Sequence, residues 1–215
     1  CFSKKEKFVD YLQLDQISKD SKKVIAGALA GIADESEYVD LYMKTSTFID
    51  NLFLNNGMDK VNNISFHKYG SDTYFYDFSN SMNRVNNQNG GFNYLLETEY
   101  GTTNAQSEDY QAKYQIRQSV LLDDTNIEKS FLYCFKDTAK KGTNSKQFGL
   151  IDSDGNIKKS YFSMKELFKN TNGSEYIGSF PLEDGINAYV YDKDGQPIAI
   201  IWSTDGEKTI PYSGF

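Results

Sequence analysis

The chain is predicted to be of the α/β class, a parallel sheet followed by an antiparallel tail, on three observations. Short apolar runs alternate with stretches of helical periodicity at intervals of about 30 to 40 residues, the pattern of βα units. Beyond residue 172 that pattern gives way to alternating strands joined by Asp-Gly turns. The third observation locates chemistry. Tyr94-Leu95-Leu96-Glu97-Thr98-Glu99-Tyr100-Gly101 is an apolar strand that ends on a carboxylate and breaks at a glycine, and the C-terminal ends of parallel strands are where α/β barrels place reactive groups.

Taken in order, Phe8, Tyr11 and Leu12 mark a helix over residues 4–17, and Val24 to Leu29 forms a short apolar strand. A second helix is expected over 37–54, through Val39, Leu41, Tyr42, Phe48, Ile49 and Leu52, and Asn56-Gly57 stops it. The strand Ile64 to His67 follows. Residues 73–88 read as a polar helix or long loop, Asn89-Gly90-Gly91 as a break, and Tyr94 to Glu99 as the third strand. Ala112, Ile116 and Val120 repeat at i, i+4 and predict a helix from Ser107 to Leu122, ahead of a fourth strand from Ser130 to Phe135. Phe148 to Ile151 is short and apolar, and Tyr161 to Phe168 predicts a further helix. Asn187 to Tyr191 and Ile198 to Trp202 alternate as strands around the turn Asp192-Lys193-Asp194-Gly195. The domain boundary is therefore expected at residue 172, with 1–172 parallel α/β and 173–215 antiparallel β.

Composition narrows the function classes. A formal net charge of -7 and a pI near 4.8 lack the cationic surface that neutralises phosphates, so no nucleic-acid partner is expected. No run of about 18 apolar residues occurs, so no membrane span is expected either. Sixteen Tyr and fifteen Phe suit a protein that stacks on sugar rings, although most such residues build cores. The start Cys1-Phe2-Ser3-Lys4-Lys5-Glu6-Lys7 shows no apolar signal region and no initiator Met, from which residue 1 is not expected to be the natural start. Cys1 and Cys134 make neither a disulfide framework nor a metal motif, and Cys134 reads as a free core thiol. His67 is the only histidine, which leaves no His-based metal site, and no cofactor is expected.

Glu99 stands at the strand end, where it is either a solvated loop residue or a group facing a cleft. Glu97, two positions earlier on the same strand face, lies about 6 to 7 Å deeper; a carboxylate aimed into an interior is more often paired or hydrogen-bonded than catalytic. His67 beside Tyr69 at a strand end suits a neutral imidazole that bonds a sugar hydroxyl or orients Glu99. Asp152-Ser153-Asp154-Gly155-Asn156 lacks the spaced ligands of a calcium loop and reads as a turn.

Three of these segments, in order, resemble the retaining glycoside hydrolases of the large (β/α)8 clan, closest to the family 39-like and cellulase-like members. Ile64-Ser65-Phe66-His67-Lys68-Tyr69-Gly70 resembles their sixth strand, and Thr98-Glu99-Tyr100-Gly101 their seventh with its nucleophile. The eighth is matched by Phe131 to Asp137, continued through Phe148-Gly149-Leu150 and Lys158 to Tyr161. The likeness covers roughly residues 5–170. It implies the C-terminal half of a (β/α)8 TIM barrel followed by a small antiparallel β-sandwich, with Glu99 as nucleophile and His67, Tyr69, Tyr100 and Tyr133 against a carbohydrate substrate. A secreted or cell-surface bacterial setting is implied as well. Two departures stand out: Leu132 and Phe135 occupy the stretch where the clan offers a cleft Trp, and the Asn-Glu pair that would carry the acid/base is absent. The implied activity is hydrolysis of O-glycosidic bonds, the alternative a non-catalytic carbohydrate-binding or structural fragment.

Overall fold

The computed structural model describes residues 25–30, 47, 51, 54, 63–69, 94–125, 127–138, 147–183 and 185–210. The expected helix over 4–17, most of that over 37–54 and the segment 73–88 lie outside these residues; Thr47, Asn51 and Leu54 are helical. Four strands, β1 (Ile25–Ala30), β2 (Asn63–Tyr69), β3 (Tyr94–Gly101) and β4 (Ile127–Leu132), form one parallel sheet in chain order. Helix α1 (Glu108–Asp123) joins β3 to β4, and α2 (Lys159–Thr171) leads into a three-stranded antiparallel sheet of β5 (Glu175–Glu183), β6 (Ile186–Lys193) and β7 (Gln196–Ser203).

The half-barrel expectation is overturned. Among the described residues two helices have defined bounds, and strand–helix–strand alternation is complete once, in β3–α1–β4. Among the described residues the tail is a single sheet packed on helices, not the two-sheet sandwich expected there. The cause lies in what local pattern records. Apolar runs separated by helical spacing specify parallel pairing, whereas closure into a barrel depends on strand number, tilt and stagger together.

Sequence explains the elements locally. Ser107 caps α1 by accepting from the Tyr110 amide at 3.0 Å, and Glu108 and Asp109 place negative charge in its first turn. The Asp194-Gly195 turn has positive φ at both residues, 54° and 78°, with Lys193 paired to Gln196, the two-residue turn that matches strand twist. β4 begins at Ile127 and ends at Leu132, so Tyr133 to Phe135 lie beyond the strand expected to contain them.

One hydrophobic core crosses residue 172. Tyr100 from β3, Val120, Leu121 and Leu122 from α1, Met164 and Leu167 from α2, and Tyr189 and Tyr191 from β6 pack together. Polar fasteners close the same seam: Tyr191 donates to Asp123 and Tyr176 to Asp124, both at 2.8 Å. At the edge of this core the Tyr110 and Tyr114 rings pack at 4.2 Å, tilted by 36°, the Arg117 guanidinium lies 5.3 Å from Tyr114 and 5.6 Å from Trp202, and Trp202 stacks flat on Tyr189 at 4.4 Å. Arg117 also donates to the Ser203 carbonyl at 3.1 Å. No helix among the described residues is long and apolar enough to cross a membrane.

Because Trp202 is half-buried and bonded through ring faces, Trp202→Ala is expected to destabilise the fold by about 2 kcal/mol, from lost apolar burial and the lost stack. Urea unfolding followed by far-UV circular dichroism measures it. A change within about 0.5 kcal/mol of zero would show that the column of rings from Tyr110 through Arg117 and Trp202 to Tyr189 carries no docking energy.

Candidate functional site

The site is built on the pairing of β2 with β3. Phe66 opposes Glu97 and His67 opposes Glu99, so Thr98 is an extra residue on β3. Strict alternation would set Glu97 and Glu99 on one face; the extra residue breaks that alternation. The two carboxyls differ accordingly. Glu97 is fully buried, while the Glu99 side chain is 36% exposed.

Both neighbours of Glu99 come from the end of β2. The Tyr69 hydroxyl donates to Glu99 Oε2, and His67 Nδ1 lies 3.4 Å from the same oxygen. Burial, and then the carboxylate it bonds, hold the Tyr69 phenol far above its ordinary value, so it remains a donor throughout the range in which proteins are folded. The Tyr69 ring in turn packs on Phe148 at 5.0 Å and edge-on to Tyr133 at 6.1 Å, with Tyr133 and Phe148 5.7 Å apart. Tyr133 therefore borders Tyr69 and Phe148 in the stretch where Leu132 and Phe135 were noted in place of a cleft Trp. Leu132 joins the core and Phe135 points to solvent, 63% exposed.

Gly101 makes this approach possible. A Cβ there would collide with the Tyr133 carbonyl, and its absence lets the Tyr133 amide donate to the Tyr100 carbonyl at 2.8 Å. The Tyr133–Cys134 peptide is cis, and Cys134 is a half-buried free thiol rather than a core one.

Tyr100 requires a correction. Its side chain is 3% exposed, bonds Ser119 Oγ at 2.8 Å and packs among Val120, Leu121 and Met164, on the helix side of the sheet. Burial pushes its phenol up to about 12. It is a core residue and does not join His67, Tyr69, Tyr133 and Glu99.

Phe148 is held by polar groups that sequence reading missed. Gln111 donates to the carbonyls of Thr102, Gln147 and Gly149 at 3.1, 3.1 and 3.4 Å, and Gln115 to that of Phe148 at 3.3 Å. Below them Asp137 and Lys158, both nearly sealed from solvent, form an ion pair at 3.1 Å. Asp137 also accepts from the Gly149 amide at 2.5 Å, and Lys158 donates to the Gln147 carbonyl at 3.3 Å. Gly149 has no room for a Cβ beside Asp137 and the Ile151 carbonyl. A signal for the clamp was present: glutamines at 111, 115 and 118 recur at helical spacing on the face that also carries Ala112, a polar stripe where an apolar one is usual.

Glu97 was expected to be paired or hydrogen-bonded. It accepts the Lys68 backbone amide on Oε1 at 2.6 Å, while Oε2 is buried without a hydrogen-bond partner and no ion pair reaches it among the described residues. Desolvation raises its carboxyl to about 9, against the opposing pull of Lys68 and with a smaller push from Glu99. Asp152 forms the expected turn; the Asn156 side chain, donating to it at 2.8 Å, and then the Asn156 and Asp154 backbone amides at 2.8 and 2.9 Å lower its carboxyl. Among the described residues no group of three or more His, Cys, Asp or Glu is placed to hold a metal ion.

Two outcomes are expected. Removing one member of the buried pair, as in Lys158→Met, leaves Asp137 charged and unpaired and should cost about 3 to 5 kcal/mol, whereas Asp137→Leu with Lys158→Met together should cost less; chemical denaturation of the single and double variants measures both. For Glu97 the sign follows from the raised value. The folded chain keeps a proton that the unfolded chain releases near 4.5, so stability is full at low pH and falls as pH rises toward about 9. The slope is at most about 1.4 kcal/mol per pH unit. Glu97→Gln should remove that loss, seen as flatter urea midpoints between pH 5 and 9; an unchanged slope would place the lost proton elsewhere.

No protein-family model matches the chain, and no curated protein is significantly similar to it.

Proposed function

We propose that the chain carries the nucleophile side of a retaining glycoside hydrolase site, with Glu99 as the attacking carboxylate. The observation that supports this most is the setting of Glu99: a partly exposed carboxylate near the C-terminal end of a parallel strand, gripped on one oxygen by Tyr69 and His67 and bordered by the rings of Tyr69, Tyr133 and Phe148. Because both contacts fall on Oε2, Oε1 is the atom that attacks. It forms an ester with the anomeric carbon as the glycosidic C–O bond breaks, and water later cleaves that ester with net retention. His67 and Tyr69 orient the carboxylate, Tyr133 offers a ring face to the sugar, and the polysaccharide class of substrate fits a secreted or cell-surface setting.

Retention requires a second carboxyl about 5 to 5.5 Å away to protonate the leaving oxygen. Glu97 holds a proton but is sealed from any substrate, and this favours the second reading, a carbohydrate-binding surface without turnover. The two separate experimentally. A 2,4-dinitrophenyl 2-deoxy-2-fluoroglycoside has a leaving group that departs without protonation, so a nucleophile alone suffices to trap the sugar. Incubating the chain with a panel of such gluco-, xylo-, galacto- and manno-configured reagents should give a covalent adduct that peptide mass spectrometry maps to Glu99, absent from Glu99→Gln. Saturable binding of the parent sugars with no adduct would support binding alone, and neither would remove both readings.

A further inference from the structure

We propose that Glu97 is a positioning residue for Glu99: through the Lys68 amide it fixes the end of β2 that presents His67 and Tyr69. Its catalytic meaning rests on the reading of Glu99 as nucleophile, while the geometry does not. The β2–β3 ladder is interrupted between Phe66 and His67, where Thr98 bulges out of register. A bulge disrupts local ladder bonding, and the buried backbone amide of Lys68, one residue past the interruption, takes a side-chain acceptor. The Glu97 carboxyl supplies it, reaching the Lys68 amide at 2.6 Å from within its neighbouring strand. Lys68 sits between the two residues that hold Glu99, so the bond pins both at once.

What Glu97 does not do is equally informative. It is fully buried, its second oxygen has no hydrogen-bond partner, and no salt bridge reaches it among the described residues. An apolar side chain would avoid the cost of burying an unsatisfied oxygen, so the bond to Lys68 is the interaction that accounts for a carboxyl here. The groups whose charge it feels are Lys68 and Glu99, and it adds a smaller influence on Tyr69. Burial holds its carboxyl neutral below about 9. Glutamine, which keeps the carbonyl acceptor and adds no charge, is thus its functional equivalent, whereas aspartate, shorter by one bond of about 1.5 Å, falls short of the amide.

Two measurements on the full chain test this. The first needs no substrate: with 13C-labelled tyrosine, the Tyr69 ring carbon bearing the hydroxyl is assigned by its loss in Tyr69→Phe, then titrated. Tyr69 should stay protonated to pH 11 in the wild type and in Glu97→Gln, and should begin to ionise at least one pH unit lower in Glu97→Asp, as its grip on Glu99 loosens. An unchanged Tyr69 in folded Glu97→Asp, or one that ionises below pH 11 in Glu97→Gln, overturns the proposal; the second criterion stands even where the aspartate variant does not fold. The other measurement is the rate of trapping by the fluoroglycoside. Glu97→Gln should react within about twofold of wild type, and Glu97→Asp at least tenfold more slowly. Failure of the wild type to react would count against Glu99 as nucleophile, whereas equal trapping in folded Glu97→Asp would count against positioning.

Discussion

The buried ion pair between Asp137 and Lys158 is the contact on which both halves of the molecule converge. Asp137 lies just past β4 and Lys158 is the residue that opens α2, so the pair fixes where the chain leaves the parallel sheet relative to where the second helix begins. Placing α2 places Met164 and Leu167, and with them the core on which β6 rests. Two charges in a sealed interior are expensive to desolvate, and such pairs persist where extra hydrogen bonds satisfy them. Here the Gly149 amide and the Gln147 carbonyl do so. Specificity of one loop path, more than net stability, is what this arrangement provides.

That loop path reaches the candidate site through a single ring. Gln111 and Gln115 hold residues 147–149 by their carbonyls, Phe148 therefore stands against Tyr69, and Tyr69 holds Glu99. Rigid helix, clamped loop, aromatic contact and oriented carboxylate form a chain of support of the kind a reacting group requires, since a carboxylate free to rotate loses the benefit of position. From the opposite side Glu97 secures the backbone of β2. Glu99 is thus constrained through two routes that share no residue before Tyr69.

Sequence revealed the parts of this arrangement that depend on neighbours along the chain. The apolar runs located the strands to within a few residues, Ser107 and the Asp194-Gly195 turn were legible because caps and tight turns demand particular residue types, and His67, Tyr69 and Glu99 could be grouped because parallel strands align their C-terminal ends. Features decided by distant packing were not legible. The half-barrel arrangement was expected and is not found among the described residues, and Tyr100 was placed toward a ligand although the bulge and the helix draw it into the core. Asp137 and Lys158 are 21 residues apart and each sits among polar neighbours, so no periodicity could pair them. The bulge at Thr98 has no residue signature at all, since any residue can be the extra one when no glycine is needed.

The column from Tyr110 to Tyr189 has a consequence for how this protein can be observed. The chain has one tryptophan, Trp202. Its indole lies flat on the phenol ring of Tyr189 and beneath the guanidinium of Arg117. Indole emission depends on the polarity and charge immediately around the ring, and here that environment is assembled from α1, β6 and β7 together. The intrinsic fluorescence of the protein is accordingly a local gauge of whether the antiparallel sheet is seated on α1, built into the molecule at the joint it reports on.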